Sequence, residues 1–389
     1  MLVLPKLQLE DVFACAQCGY CMKRCPVHYF LGWESESPRG KVFAIKELIK
    51  NDGRVDEKRI HRLGRLLSKR FFNCTFCGLC REVCHVEIDL LELWSRVREM
   101  LYDHGFVPEN VVRLSEALRL SKNIYMMDNA SRTDWVAYTG ADVSFKDSAE
   151  VVYFVGCVTS FSGRVQTVAQ AISSILNSAN EDWTLLKDEW CCGHPLVLSG
   201  ATREARALAM HNVEMVESIG AKKVVTGCPG CYLALKHEYP RLLGRKPGFE
   251  VLHSSQLLDV YMASGKLTVP KADVTLTYHD PCELGRISGV IREPRAVLQT
   301  IADALVEPEY SGKESICCGS GGLLKAVNPS LAESLARRRY GMLASTGADV
   351  IVSACPTCVQ TLAQAATATQ NGKRVVDISE LVAEQIGLI

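Results

Sequence analysis

The chain carries the sequence CCG at residues 191–193, between Cys157 upstream and the sequence CPGC at residues 228–231 downstream. The same order returns with an offset of 125 to 127 residues, as Cys282, CCG at 317–319 and CPTC at 355–358. A duplication that keeps five cysteines in register predicts one thiol-rich site built twice. Four thiolates suffice for a zinc ion or a cubane iron–sulfur cluster. A fifth cysteine at each site therefore indicates either a spare reactive thiol or a larger cluster.

The composition limits the class of protein. The chain has 389 residues, of which 48% are hydrophobic and 18 are cysteine. It is long enough for two or three domains with sizeable cores, whereas the disulfide scaffolds of secreted proteins are short and loop-rich. Clustered cysteines in a reducing compartment are usually metal ligands. Lys plus Arg equals Asp plus Glu at 44 each, so the charge does not favour nucleic acid as a partner.

The hydropathy of the sequence predicts no membrane-spanning segment of its own. No apolar run approaches the roughly 18 residues that a span requires. Residues 1–10 lack the basic region and the long apolar core of a signal peptide. We expect a cytoplasmic protein that can lie at the inner face of the membrane through a partner subunit.

Two further cysteine runs precede the repeat, and each has the spacing C-x2-C-x2-C-x3-C. This is the run of two-cluster ferredoxins, in which the fourth cysteine ligates the other cluster. The spacing predicts one [4Fe-4S] cubane on Cys15, Cys18, Cys21 and Cys84. It predicts a second cubane on Cys74, Cys77, Cys80 and Cys25. Zinc is the alternative, but zinc sites usually offer two separated C-x2-C pairs.

Helical periodicity lies between and after the ferredoxin runs, at residues 42–50, 57–69 and much of 88–125. A helical ferredoxin domain is therefore expected rather than a compact β-rich one. We predict this all-α domain over residues 1–105, a helical or irregular linker over 106–150, and two α/β CCG-type domains over 151–270 and 271–389.

Each copy of the five-cysteine pattern begins with an apolar, β-branched run and contains a second such run before its last two cysteines. Helical stretches alternate with these strands, which predicts an α/β class with small parallel sheets. Ligands of such sheets bind at the carboxyl ends of the strands, and cysteines follow there. Gly193 and Gly319 are expected to let the backbone approach a cofactor closely. A phosphate-binding loop is the alternative, but the Walker lysine and the dinucleotide spacing are missing.

The cysteine spacings resemble those of the CCG-domain family. The intervals are 33 and 35 residues in the first copy and 34 and 36 in the second. Together with the helical ferredoxin module, nearly the whole chain resembles the family of D-type heterodisulfide reductase subunits. The resemblance accounts for all 18 cysteines, eight in the ferredoxin part and five in each copy.

The resemblance implies two noncubane [4Fe-4S] clusters, each held by five thiolates. The first would use Cys157, Cys191, Cys192, Cys228 and Cys231, and the second Cys282, Cys317, Cys318, Cys355 and Cys358. Electrons would pass from the two cubanes to this pair, which would reduce the disulfide between coenzyme M and coenzyme B. The implied partners are a flavoprotein or a membrane cytochrome b, because the chain has no flavin or nicotinamide fingerprint.

A second interpretation stays open. The chain is also similar to iron–sulfur subunits of glycolate oxidase, anaerobic glycerol-3-phosphate dehydrogenase and aromatic-ring reductases, with which it shares the stretch Ser37-Pro38-Arg39-Gly40-Lys41. In that case the protein would be a non-catalytic electron-transfer subunit. The second CCG copy is often degraded in the dehydrogenase-linked relatives and is complete here, which favours the disulfide reductase.

Reduction of a disulfide consumes two protons, and two histidines next to the cysteines are candidates for supplying them. His194 follows the first double cysteine, and His279 precedes Cys282. An imidazole with a pKa near neutrality suits proton donation to a thiolate. The alternative is a histidine that donates a hydrogen bond to a sulfur atom and tunes its potential.

Overall fold

The computed structural model describes residues 9–49, 56–369 and 372–389. These residues form two compact units. Unit 1 contains the described residues up to Ser115 together with 195–202 and 316–336, and unit 2 contains 116–194, 203–315 and the described residues from Arg337 onward. Residues 195–202, which follow the first double cysteine, and residues 316–336, which include the second, thus belong to unit 1, whereas the predicted boundaries lie at residues 105, 150 and 270.

The N-terminal module is helical, as expected. Its helices, with those of the segment before the first sheet, are α1 (Leu9–Ala14), α2 (Tyr20–Arg24), α3 (Pro26–Leu31), α4 (Pro38–Lys46), α5 (Glu57–Phe72), α6 (Leu79–Glu82), α7 (Leu90–Asp103), α8 (Glu109–Ser121) and α9 (Trp135–Thr139). The helix expected over 42–50 begins earlier, because the Ser37 hydroxyl caps the Gly40 N–H and Pro38 occupies the first helical position. Lys50 lies outside the described residues.

Local capping explains where the two long helices of this module begin. The Asp56 carboxylate accepts hydrogen bonds from the N–H groups of Lys58 and Arg59 at the start of α5. The Asp89 carboxylate does the same for Leu91 and Glu92 at the start of α7. Each such cap satisfies N–H groups that have no partner inside the helix. Both helices then bury an apolar face, which includes Phe71 on α5 and Trp94 on α7, with ring centroids 5.4 Å apart.

The two cysteine repeats form two parallel four-stranded sheets, which confirms the predicted fold class. The first sheet has the order β2-β1-β3-β4 and the second the equivalent order β6-β5-β7-β8. The strands are β1 (Val151–Tyr153), β2 (Trp183–Leu185), β3 (Lys223–Thr226), β4 (Glu250–His253), β5 (Ala272–His279), β6 (Ala302–Leu305), β7 (Val350–Ser353) and β8 (Arg374–Asp377). The central strands of each sheet are the two apolar runs that precede cysteines.

Helices alternate with the strands along the chain. They are α10 (Cys157–Phe161), α11 (Gln166–Ser178), α12 (His194–Ser199), α13 (Thr202–Ile219), α14 (Pro229–Leu233), α15 (Tyr239–Leu243), α16 (Ser254–Ala263), α17 (Arg292–Ile301), α18 (Leu324–Val327), α19 (Pro329–Ala344), α20 (Pro356–Thr367) and α21 (Ile378–Gln385). Helix α11 packs on α21, and α16 packs on α17. Because α11 corresponds to α17 and α16 to α21 in the two repeats, the repeats associate with pseudo-twofold symmetry inside unit 2.

Within the described residues, no helix combines the length and the apolar character needed to span a bilayer.

A buried histidine at the end of β4 makes the stability of unit 2 depend on pH. The His253 Nδ1 atom accepts a hydrogen bond from the Ser255 N–H at 3.2 Å and caps α16. Burial lowers the pKa of His253 to about 3. The folded chain thus keeps this imidazole neutral while the unfolded chain takes up a proton below a pH of about 6.5. The stabilising contribution is complete above that pH and is lost as the pH falls toward 3.

We therefore expect His253 to contribute a loss of about 1.4 kcal/mol of unfolding free energy between pH 7.5 and pH 5.5. The variant His253→Asn keeps an oxygen that can cap α16 and removes the titrating group. Its melting temperature should fall less on acidification than that of the parent, measured by thermal circular dichroism under anaerobic conditions. His61→Asn, which changes an exposed histidine, is the control and should follow the parent. Equal pH dependence in parent and His253→Asn would contradict the prediction.

Candidate metal centres

The first four-cysteine set lines a cavity at the surface of unit 1. Cys15, Cys18, Cys21 and Cys84 all border this cavity. Burial, followed by the neighbouring Cys15, raises the pKa of the Cys21 thiol to about 11. Cys18 and Cys84 add to this effect, so the four sulfur atoms lie close together. Cys18 is exposed, so a cofactor held here would lie near solvent.

The second set gathers Cys74, Cys77 and Cys80 around Cys25, which comes from the first run. Burial raises the pKa of Cys25 to about 12, and it raises that of Cys80 well above its usual value. Cys25 and Cys80 each interact electrostatically with both Cys74 and Cys77. Backbone N–H groups point at the sulfur atoms, from His28 to Cys25 at 3.5 Å and from Phe76 to Cys74 at 3.4 Å. The fourth cysteine of each run thus lies with the first three of the other, and ligation of iron stays a prediction.

Two buried cations lie beside the second set. The Lys41 ammonium is 2% exposed and donates to the Asn73 carbonyl oxygen, directly before Cys74. The Arg98 guanidinium is fully buried and donates to the Cys74 carbonyl oxygen. Neither cation has a carboxylate among its hydrogen-bond partners in the described residues. Buried charges are normally paired, so these two fit an anionic group held by the four thiolates, as an iron–sulfur cluster is.

Replacement of Lys41 by methionine is expected to lower the reduction potential of the cubane that the second four-cysteine set is predicted to hold. A reduced cluster carries one more negative charge, which a buried cation stabilises. We expect the equilibrium constant for reduction to fall at least tenfold, about 59 mV for one electron. The measurement is an anaerobic redox titration followed by electron paramagnetic resonance. Lys46→Met, on the same helix, is the control, and equal potentials in the two variants would refute the expectation.

The first five-cysteine set lies wholly inside unit 2, at the carboxyl ends of β1 and β3. Cys157 begins α10, Cys191 and Cys192 immediately precede α12, and Cys228 and Cys231 lie at the start of α14. The thiols form a continuous series of contacts in the order Cys157, Cys191, Cys192, Cys231, Cys228. Residue 156 is a glycine with φ +80°, and a larger residue would not fit, because a Cβ there would lie 2.9 Å from the Cys231 sulfur.

These contacts raise the pKa of some of the five thiols and lower the pKa of others. The hydrogen bond with Cys191, together with burial, raises the pKa of Cys157 well above its usual value. Hydrogen bonds from Cys191 and Cys231 lower the pKa of Cys192 to about 7. Backbone N–H groups of Gly193 and His194 also donate to Cys191 and Cys192. Sulfur atoms this close, with backbone donors around them, fit a site that binds metal through several thiolates.

Two charged residues that the sequence analysis missed lie next to Cys157. Arg132 donates from Nη2 to the Cys157 Sγ at 3.6 Å and from Nη1 to the Glu189 carboxylate at 2.8 Å. Glu189 in turn accepts from the N–H groups of Val155 and Gly156. Arg132 lies in the segment predicted as a linker, where no pattern marked it.

The second five-cysteine set is divided between the compact units. Cys282, Cys355 and Cys358 belong to unit 2, and Cys317 and Cys318 belong to unit 1. In unit 2, the Cys358 N–H donates to the Cys355 sulfur at 3.4 Å. In unit 1, the Gly319 N–H donates to the Cys317 sulfur at 3.4 Å. Cys317, Cys318, Cys355 and Cys358 are buried.

The glycine after each double cysteine has a positive φ, +82° at Gly193 and +97° at Gly319. At Gly319 a Cβ would lie 2.5 Å from the Ala332 carbonyl oxygen on α19. This close approach to a helix explains the glycine without a cofactor. The role of both residues in binding a cofactor stays a prediction.

Within unit 2, cysteines of the two repeats approach each other. Cys355 interacts electrostatically with Cys228 of the first repeat and with Glu283, the residue after Cys282. Glu283 also acts on Cys228. The CPxC turns of both repeats therefore border a common region that contains a carboxylate, which the sequence analysis did not identify.

His194 lies between two carboxylates at this region. Its Nδ1 atom is 2.9 Å from Glu238 Oε1, and its Nε2 atom is 3.2 Å from Glu283 Oε1. Burial lowers the pKa of His194, but the two carboxylates outweigh burial and raise it well above the usual value. His194 is thus held as an imidazolium whose two protons point at Glu238 and Glu283.

His279 has a different environment. Its Nδ1 atom accepts a hydrogen bond from Arg339 Nε at 3.1 Å, and its side chain is fully buried. A ring nitrogen of His279 and the Cys358 sulfur lie within 4.8 Å of each other. With Nδ1 accepting from a guanidinium, the imidazole is neutral and carries its proton on Nε2. The neighbouring Asp280 forms a bidentate ion pair with Arg295.

Two protein families match the segments that contain the cysteine sets. The 4Fe-4S dicluster domain family matches residues 11–88, and the cysteine-rich CCG domain family matches residues 151–236 and 276–363. A solved structure of a hypothetical protein from Helicobacter pylori has a TM-score of 0.54 at 10% identity and covers 89% of this chain and 68% of that chain. That likeness concerns the fold alone.

Three relatives are similar to this chain, one over nearly its whole length and two over a part of theirs. The chain is 36% identical to the D-type subunit of the dihydromethanophenazine:CoB–CoM heterodisulfide reductase of Methanosarcina barkeri, over 99% of this chain and 96% of the relative. It is 28% identical to the B-type subunit of the fumarate reductase (CoM/CoB) of Methanothermobacter marburgensis, over 88% of this chain and 66% of the relative. It is 26% identical to an EtfAB:quinone oxidoreductase of Syntrophomonas wolfei, over 96% and 58%.

Proposed function

Because the chain belongs to the family of D-type heterodisulfide reductase subunits and is an iron–sulfur oxidoreductase subunit, we propose that it is the catalytic subunit that reduces a disulfide of the coenzyme M–coenzyme B type. The observation that carries the proposal is the approach of the two repeats within unit 2, where Cys228, Cys355 and Glu283 border one region. A substrate placed there would meet cysteine-rich sites from both repeats.

The proposed cofactors are two cubane and two noncubane [4Fe-4S] clusters. Such clusters supply electrons one at a time. Cys15, Cys18, Cys21 and Cys84 would hold the first cubane, and Cys74, Cys77, Cys80 and Cys25 the second. The first five-cysteine set would hold one noncubane cluster and the second set the other. The buried Lys41 and Arg98 and the contacts among the thiols support this assignment.

The reaction breaks one S–S bond with two electrons and two protons and yields two thiols. The electrons would come from a partner protein. His194 would hold a proton on Nε2, which points at Glu283 Oε1. Glu283 borders the common region of the two repeats, so a proton could pass through its carboxylate to a substrate there. His279 is the second candidate donor, but its acceptance from Arg339 suits a hydrogen bond from Nε2 to sulfur better than release of a proton.

The partners would be other subunits of a redox complex, either a flavoprotein or a membrane cytochrome b. The exposed position of Cys18 in unit 1 supports electron entry at the first cubane. With such a partner the protein would lie in the cytoplasm, peripherally at the inner face of the membrane if the partner is a cytochrome.

The test is turnover of the coenzyme M–coenzyme B heterodisulfide by the fully metallated protein, with a reduced viologen dye as electron donor. Consumption of two dye electrons per disulfide, with release of two thiols, is expected. A preparation with full iron content and no turnover would rule out the catalytic role.

The alternative is a non-catalytic electron-transfer subunit. The similarity to an EtfAB:quinone oxidoreductase favours it, since the name of that relative describes oxidoreduction between EtfAB and quinone. A protein of this kind would be reduced by its partner protein and would leave the heterodisulfide unchanged in the viologen assay.

A further inference from the structure

We propose that Arg132 is a positioning residue that raises the reduction potential of the first CCG centre. The proposal rests on the proposed binding of an iron–sulfur cluster by the first five-cysteine set. It does not require that the protein turn over a disulfide.

The contact is direct and buried. Arg132 is 3% exposed, and its Nη2 atom lies 3.6 Å from the Cys157 sulfur. The same nitrogen donates to the Asn129 side-chain oxygen at 3.2 Å, and the guanidinium lies 5.1 Å from the centroid of the Phe161 ring. The guanidinium plane is therefore held on several sides, with one N–H directed at the thiol.

Glu189 fixes this orientation. Its carboxylate binds Arg132 at 2.8 Å and accepts from the Val155 and Gly156 N–H groups at 2.8 and 2.9 Å. These two N–H groups belong to the turn that leads from β1 into Cys157. The buried ion pair thus joins the guanidinium to the backbone that carries the ligand, and its positive end faces the sulfur.

The second repeat lacks Glu189 at the corresponding position. Glu189 precedes Cys191 by two residues, and Ser315 occupies that place before Cys317. Arg132 lies outside both matched CCG segments, so the cysteine offset assigns it no counterpart. Ser315 donates its hydroxyl to the Asp280 carbonyl oxygen and accepts from the buried guanidinium of Arg339. A different cation therefore lies next to Ser315 in the second repeat, in place of the Arg132–Glu189 ion pair.

The physical consequence follows from the charge change on reduction. A reduced cluster carries one more negative charge, part of which lies on the ligand sulfurs. A hydrogen bond from a cation to one of these sulfurs favours the reduced state and raises the potential. Glu189 opposes the effect from the far side of the guanidinium, so removing its charge should act in the opposite direction.

The test compares Arg132→Met, Arg132→Lys and Glu189→Gln by anaerobic redox titration with electron paramagnetic resonance, after iron analysis. In Arg132→Met, the equilibrium constant for reduction of the first CCG centre should fall at least tenfold, which lowers its midpoint potential by about 59 mV for one electron. The midpoint potentials of the other centres should stay at the parent values. Arg132→Lys keeps the charge and should restore part of the shift. Glu189→Gln keeps an acceptor for the backbone and should raise the same potential.

Arg295→Met is the matched control, because Arg295 pairs with the buried Asp280 in the same unit and, within the part of the chain that the structure describes, donates to no thiol. The Arg295→Met variant should leave the midpoint potential of the first CCG centre at the parent value. If Arg132→Met loses iron, the opposite shifts of Arg132→Lys and Glu189→Gln still decide. Parent potentials in both of those variants at full iron content would overturn the proposal. A shift in a protein without heterodisulfide turnover would uphold it and reject only the proposed function.

Discussion

The variant Arg98→Leu is expected to lose the second cubane and to leave unit 1 unfolded. Arg98 is fully buried on α7 and donates to four backbone carbonyl oxygens, those of Phe71, Cys74, Leu198 and Gly322. Its guanidinium also lies 4.5 Å and 4.4 Å from the ring centroids of Phe72 and Phe76. One side chain thus joins the loop of the second four-cysteine set to the segments after both double cysteines, all within unit 1.

Leucine would leave these carbonyls without their donor. A buried polar group without a partner costs about 1–3 kcal/mol, so four such groups cost about 4–12 kcal/mol. Domains are stable by about 5–15 kcal/mol in total. The loss is therefore comparable with the whole stability of the unit, and the anionic cluster loses a neighbouring cation as well.

Iron analysis, paramagnetic resonance and limited trypsin digestion check this expectation. The iron content should fall by at least the four atoms of one cubane, and residues of unit 1 should be cleaved first. Arg96→Leu is the control, because Arg96 lies on the same helix and forms half-exposed ion pairs with Glu92 and Glu99, which are worth about 0.3–0.5 kcal/mol each. A stable Arg98→Leu protein with the parent iron content would show that the carbonyls find other partners.

The variant Cys231→Ser is expected to abolish heterodisulfide turnover while the two cubanes remain. Cys231 is the fourth thiol of the series and joins Cys192 to Cys228. A serine hydroxyl is not a thiolate ligand, so the first five-cysteine set would lose one ligand and the contact that joins Cys228 to the other three thiols. All five cysteines of this set belong to unit 2, whereas both cubane sets belong to unit 1.

Turnover should fall at least a hundredfold, about 2.7 kcal/mol in activation free energy, and the iron content should fall by about four atoms per chain. Cubane signals should persist in paramagnetic resonance. Ser173→Ala changes a buried serine of α11 in the same repeat and should keep parent iron and turnover. Parent turnover in Cys231→Ser despite the loss of iron would assign the reaction to a site other than the first repeat.

Local patterns in the chain predicted much of this molecule. Three-residue cysteine intervals indicated the ferredoxin module, and apolar runs before Cys157, Cys228, Cys282 and Cys355 indicated parallel strands. The helical module, the two parallel sheets and the family are confirmed. These features are readable because intervals and periodicity depend on residues that are near each other in the chain. The outer strands β2, β4, β6 and β8 were not predicted, since the signal for a strand was an apolar run that leads into a cysteine, and no cysteine directly follows these four strands.

The charges around the candidate centres come from contacts between distant segments. Arg98 and Gly322 are 224 residues apart in the chain, His194 and Glu283 are 89 apart, and Arg132 and Glu189 are 57 apart. No spacing rule joins such pairs, because a buried charge is stabilised by whichever group the folded chain brings beside it. Thus the cysteine intervals specified which thiols can share a cofactor, and folding specified the cations, carboxylates and N–H groups that surround them.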